Sequence, residues 1–171
     1  METIKLKRSL WHLKNHFSIY QHNKLILRAV SENVRTIASF TYQIIDEHNR
    51  KQVTIKHELK NKKSLYHILK DNEILVTIAT STGLISKGFS IKSLNIKTET
   101  RKRHLIHTVY QGDKIIGEIE VQTFRIGEEY HIKLPEESSE YVYILICMAL
   151  AIHHEEPTLM RSVFNKYWGR F

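Results

Sequence analysis

Histidine invites chemistry first, because eleven of the 171 residues are histidine. A neutral imidazole ligates borderline metals, and its pKa lies near physiological pH. His12, His16 and His22 fall in or near the first extended runs, His104 and His107 are three apart, and His153 and His154 precede Glu155 and Glu156. A zinc centre needs three or four converging ligands, usually held by outer hydrogen bonds. None of these spacings matches a known metal motif, so scattered surface histidines plus a pair at a helix end are expected, with no metal and no cofactor. Glu118 and Glu120 share one face of a strand-like run, a spacing that could serve acid–base work but reads as a solvated face. Gly83 and Gly88 have the phosphate-loop spacing, yet Phe89 and Ser90 stand where Lys and Ser/Thr must follow. Neither a dinucleotide-binding glycine fingerprint nor a nucleophile elbow occurs. Cys147, the single cysteine, excludes an internal disulfide, suits a reducing compartment and sits in an apolar run where an inert buried thiol is expected. No catalytic signature emerges, and a non-enzymatic protein is the expectation.

The basic clusters offer more. Lys60, Lys62 and Lys63 lie in "KNKK", and Lys97, Arg101, Lys102, Arg103 and His104 lie in "KTETRKRH". The net charge is +8, unevenly spread: residues 1–110 carry +12 and residues 111–171 carry −4. Clustered cations attract anionic partners such as nucleic acid, an anionic membrane or an acidic protein. Nucleic-acid readers interleave aromatics with basic residues for stacking, and only Tyr66 and His104 stand near these clusters. A lipid-headgroup reader needs only the clustered cations, at about 1 kcal/mol each near an anionic bilayer.

The elements that must position these residues are mostly strands. A chain of this length is one domain by prior, and its composition is ordinary for a globular protein. Six Gly and two Pro leave little room for a flexible linker, and the N-terminal "METIKLKRSLWHLK" lacks the apolar core of a secretion signal. Through residue 134, short β-rich runs alternate with polar turns: "HFSIY" and "KLILRAV" flank "QHN", "SLYHIL" and "EILVTIAT" flank "KDN", and "HLIHTVY" and "KIIGEIEVQTF" flank "QGD". That is the hairpin signal. In "KQVTIKHEL", Val53, Ile55, His57 and Leu59 share one face; in "KIIGEIEVQTF", Ile115, Gly117, Ile119, Val121 and Thr123 oppose Ile116, Glu118, Glu120, Gln122 and Phe124. Ten to twelve strands are expected, and a meander that long tends to close because closure removes edges.

The period changes in "PEESSEYVYILICMALAIHHEEP". Pro135 and the Glu/Ser cluster suit a helix start, and Pro157 is expected to stop it. The uncharged run from Tyr141 to Ile152 is about 18 Å long as a helix, against about 30 Å of hydrocarbon in a bilayer, so a span is not expected. A helix apolar all round must be enclosed by protein. In a chain of strands, a place along the axis of a closed sheet supplies that enclosure, and Ala149 and Ala151 would let strand side chains approach closely.

The meander, the segment "KRSLWHLKNHFSIYQHNKLILRAV" and the late apolar helix together resemble the tubby C-terminal-like superfold. More narrowly, residues 1–155 are similar to LURP-one-related proteins and their bacterial relatives. The resemblance implies a closed antiparallel barrel of about twelve strands threaded by the apolar helix. Related folds include phospholipid scramblases and phosphoinositide-binding tubby domains, but no lipid-contacting motif transfers residue by residue. The expected organisation is a barrel with its central helix over residues 1–156 and a basic amphipathic helix over 157–171. That tail places Met160, Val163, Phe164, Tyr167, Trp168 and Phe171 on one side. It could pack on the barrel, dock into a partner or a second copy through Phe164, Tyr167, Trp168 and Phe171, or lie on an anionic membrane. The functional expectation is a cytosolic module that binds anionic phospholipid, or a partner at the inner membrane face, through Lys60, Lys62, Lys63, Arg101, Lys102 and Arg103. A protein scaffold using the tail, and nucleic-acid binding through the same cations, are the alternatives.

Overall fold

The computed structural model describes residues 1–9, 16–32, 40–82, 87–101, 105–124 and 127–168, with helix side chains described as far as Glu155. Twelve strands close into one antiparallel barrel in which sequence neighbours pair throughout and the first strand meets the last. They are β1 (Glu2–Ser9), β2 (His16–Gln21), β3 (Lys24–Ser31), β4 (Thr41–Asp46), β5 (Lys51–Lys60), β6 (Lys63–Lys70), β7 (Glu73–Thr82), β8 (Lys87–Ile91), β9 (Ile96–Arg101), β10 (Ile106–Gln111), β11 (Lys114–Phe124) and β12 (Gly127–Leu134). Closure is set by β1 against β12, from Glu2 opposite Leu134 to Lys7 opposite Glu129.

Tight turns make the meander possible. His22 and Asn23, Asn61 and Lys62, and Asp71 and Asn72 all adopt positive φ. Two consecutive left-handed residues define the hairpin turn whose twist matches the strands. Behind four of the turns the register slips by one residue: β2–β3, β4–β5, β6–β7 and β10–β11 each carry a bulge. The bulge on β11 corrects the expected facing. Gly117 pairs with Val109 and Ile115 with Tyr110, so Ile116 is the extra residue; it is buried, whereas Ile115 is half exposed. The inward set is therefore Ile116, Ile119 and Val121, because a bulge shifts the alternation that a strict period assumes.

A barrel of twelve strands is about 23–26 Å between opposite backbones, given strands about 4.8 Å apart and tilted by about 35–45°. A helix with its side chains is about 10–12 Å across, which leaves one layer of strand side chains around it. Helix α1 (Val142–Trp168) occupies that space. Every residue from Leu145 to Ile152 is fully buried, as expected for a helix surrounded by Ile4, Leu6, Ile19, Ile44, Ile55, Ile78, Ile119 and Ile132. Gly117 supplies a close approach: a Cβ there would lie 2.8 Å from Leu145 Cδ1. Cys147 is fully buried and its thiol pKa is pushed up by desolvation, consistent with an inert thiol.

The helix boundaries differ from expectation. Residues Glu136–Tyr141 form a 3₁₀ turn after Pro135, with Ser138 buried inside it, and the α-helix begins only at Val142. At the other end the backbone stays helical past Pro157 to Trp168. Proline there removes a single ladder hydrogen bond, the one from residue 157 to the carbonyl of residue 153. Among the described residues, no helix is long and apolar enough to cross a membrane.

Candidate functional site at the basic end of the barrel

Antiparallel pairing sorts the connections to two ends. At the end where the helix enters lie the turns β2–β3, β4–β5, β6–β7, β8–β9 and β10–β11, together with the link from β12 to α1. At the other end lie the β5–β6 turn and the ends of β9 and β10, so Lys60, Lys62, Lys63 and Arg101 are at the same end of the barrel. All four are exposed. Two strands, β7 and β8, separate the two hairpins, so the clusters stand about 15–20 Å apart along the wall. Lys102 and Arg103 lie outside the described residues, between strand ends that are both at this end. Arg101 belongs to the strand: it closes β9, pairs with Ile106 and reaches the Tyr110 hydroxyl at 3.4 Å. The whole stretch "KTETR" is therefore sheet, although its polar side chains gave no strand signal. Its inward positions are Thr98 and Thr100, which hydrogen-bond the Phe89 amide and His107.

The charge contrast between the ends follows from connectivity. Counting Lys and Arg against Asp and Glu in the sequence between strands alone, segments 10–15, 32–40, 61–62, 83–86, 102–105 and 125–126 carry a net +5. The corresponding segments of the helix-entry end, 22–23, 47–50, 71–72, 92–95, 112–113 and 135–141, carry −4. Two large apolar side chains, Leu59 and Leu105, are 69% and 42% exposed beside the cations of the basic end. Leu59 shares the inward face of Val53, Ile55 and His57 but stands beyond the rim, so only the first two are core.

Below the rim the helix emerges into a polar and aromatic cluster. Tyr66, fully buried on β6, donates from its hydroxyl to Glu155 Oε1 at 2.7 Å and lies 2.7 Å from His154 Nδ1. Because that proton goes to Glu155, the phenol oxygen accepts from Nδ1–H, which leaves the His154 lone pair on Nε2. His57, on β5, stacks obliquely on Tyr66 and on His154, with centroids 5.0 and 4.7 Å away. Its Nε2 is buried and has no hydrogen-bond partner among the described residues. Burial lowers the His57 pKa, while the Glu155 charge opposes that shift. Burial and the Glu155 carboxylate push the Tyr66 hydroxyl pKa up. One ligand atom from each of His57, His154 and Glu155 fits within a mutual 4.8 Å, a set able to hold a metal. On the opposite wall, His153 bonds the Tyr130 hydroxyl at 3.0 Å and packs edge-on against Phe17. His107 and His153 are thus buried rather than on the surface. No spacing could reveal that His57 meets His154, because β-barrel closure brings together residues almost a hundred apart.

The remaining sequence candidates settle simply. Glu118 and Glu120 face solvent on β11 and share Lys133 at 3.4 and 2.9 Å, an ion ladder across to β12. The side chains of Phe164, Tyr167 and Trp168, and the whole of Phe171, lie outside the described residues.

No curated protein matches the chain significantly. Among solved structures, the chain is similar to a crystal structure of a protein from Arabidopsis thaliana: the TM-score is 0.54 at 12% identity, covering 88% of this chain and 91% of that one. At that identity the likeness concerns the fold. The LURP-one-related family profile matches residues 2–154, from the first strand to the histidine that touches Tyr66, and stops one residue short of Glu155. The chain belongs to the LURP-one-related family.

Proposed function

We propose that the protein is a non-enzymatic, tubby-like binding module whose basic end engages the phosphates of anionic phospholipid at the cytoplasmic face of a membrane. The observation that carries this reading is the gathering of Lys60, Lys62, Lys63 and Arg101 at one end of the barrel, while the other end is acidic. The β5–β6 turn is suited to the task. Positive φ at Asn61 and Lys62 makes it a tight two-residue hairpin, so three lysines are presented on a short, stiff support. Leu59 and Leu105 beside them add apolar surface of the kind that inserts among headgroups. The cations act additively at about 1 kcal/mol each near an anionic surface, and salt screens them within about 8–10 Å.

Flotation with vesicles of neutral lipid, and of neutral lipid doped with phosphatidylserine or phosphoinositide, tests the reading. Binding only to the anionic vesicles, and weakening steeply with salt, is the expected result. Equal binding to both vesicle types, or to neither, sinks it. A salt-dependent shift of DNA or RNA without vesicle binding would assign the same cations to nucleic acid.

A further inference from the structure

We propose that the mouth of the barrel is a binding site for a divalent transition-metal cation of the zinc class, ligated by His57, His154 and Glu155 with Tyr66 as the outer partner. The donor set is two imidazole nitrogens and one carboxylate oxygen, which suits zinc and not calcium or magnesium. Its ligand atoms already lie within 4.8 Å of one another. Around a tetrahedral zinc with bonds of about 2.0–2.1 Å, ligand atoms are about 3.3–3.4 Å apart, so the cation would draw them in by on the order of 1.5 Å at most. His57 is carried by a strand and His154 and Glu155 by the helix, so ordinary side-chain rotation on facing elements supplies that closure.

Two features separate this cluster from a network that only fills space. First, His57 Nε2 is buried without a hydrogen-bond partner among the described residues, an arrangement that costs stability unless something outside the protein accepts its lone pair or proton. Second, the Tyr66 hydroxyl bonds Nδ1 of His154 and Oε1 of Glu155 at once, at 2.7 Å each. That fixes the His154 tautomer with its lone pair on Nε2 and orients the carboxylate, which is what an outer shell does for metal ligands.

The test is a zinc titration of the full chain, first stripped with chelator and competed against a chromophoric zinc indicator. One equivalent of tight binding is expected, with a rise in melting temperature. His57→Ala and Glu155→Gln should each abolish the tight equivalent, and Tyr66→Phe should weaken it by about 10–100-fold, the usual effect of losing an outer-shell partner. Absence of one-to-one binding, or the same affinity in folded His57→Ala, overturns the proposal; weak multiple binding by surface histidines counts as absence. Should His57→Ala fail to fold, X-ray absorption of the zinc-loaded wild type decides. Two imidazoles and oxygen at about 2.0–2.1 Å support the site, and a zinc shell without imidazole contradicts it. No lipid enters any of these measurements, so failure here leaves the anion-binding reading standing, and the reverse also holds.

Discussion

The two ends of the barrel are built on opposite terms. Where the helix enters, the connections are net acidic, a 3₁₀ turn leads in, and Leu145 sits against Gly117 with no room to spare. Where it leaves, the connections are net basic and the last turn of buried helix carries His153, His154 and Glu155 in place of aliphatic residues. The first end secures the fold by close packing. The second trades packing for polar groups that must find partners, and a core accepts such groups only when something is gained by having them. The aliphatic end is therefore read as structural and the polar, cationic end as functional.

The sharpest way to break this comparison is to put a charge at the structural end. Leu145→Asp places a carboxylate among fully buried aliphatic side chains with no partner, and a loss beyond about 4 kcal/mol is expected. A cooperative thermal melt near the wild-type temperature would show that the helix does not plug the barrel. Gly117→Ala is the gentler version. The new methyl meets Leu145 Cδ1 at 2.8 Å and Cδ2 at 3.2 Å, and Leu145 is enclosed and cannot swing away. Overpacking of this kind costs about 1–3 kcal/mol, which urea denaturation would read as a lower midpoint at unchanged slope.

The smallest effect belongs to the outer wall. Lys133→Met removes the cation shared by Glu118 and Glu120, a partly exposed arrangement that contributes at most about 1 kcal/mol. The hydrogen bond from Lys133 holds the Glu120 pKa below its ordinary value. Stability from such a depressed carboxylate is present above the unfolded-state pKa and lost as pH falls through the folded one. The gap between wild type and Lys133→Met should therefore narrow as the pH drops below the carboxylate range; a gap that widens in acid would contradict the pairing.

Much of the fold was legible because it obeys local rules. The turns "QHN", "KDN" and "QGD" announced hairpins, and "YVYILICMALAI" announced an enclosed helix by being apolar on every side. β9 was hidden because its inward residues are Thr98 and Thr100, satisfied by hydrogen bonds that only the folded neighbours provide. The facing of Ile115 and Ile116 was misread because a bulge has no period of its own. The basic clusters were visible as composition, but their shared end depended on strand parity, which a single missed strand would reverse. The Tyr66–His154–Glu155–His57 cluster left no linear trace, since its members come from β5, β6 and the helix. In retrospect His57 carried a weak signal: a histidine on the same strand face as Val53 and Ile55 is a polar group aimed at the core.

The most direct test of the functional account sets one end against the other. Charge reversal of Lys60, Lys62 and Lys63 to glutamate alters the basic end; reversal of Lys24, Lys51 and Lys70, equally exposed, alters the helix-entry end by the same amount. Neither set touches the core, so both proteins should melt close to wild type. Flotation with anionic vesicles is then predicted to lose binding in the first protein and to retain most of it in the second. Equal loss in both would mean that net charge alone, and not the basic end of the barrel, governs the interaction.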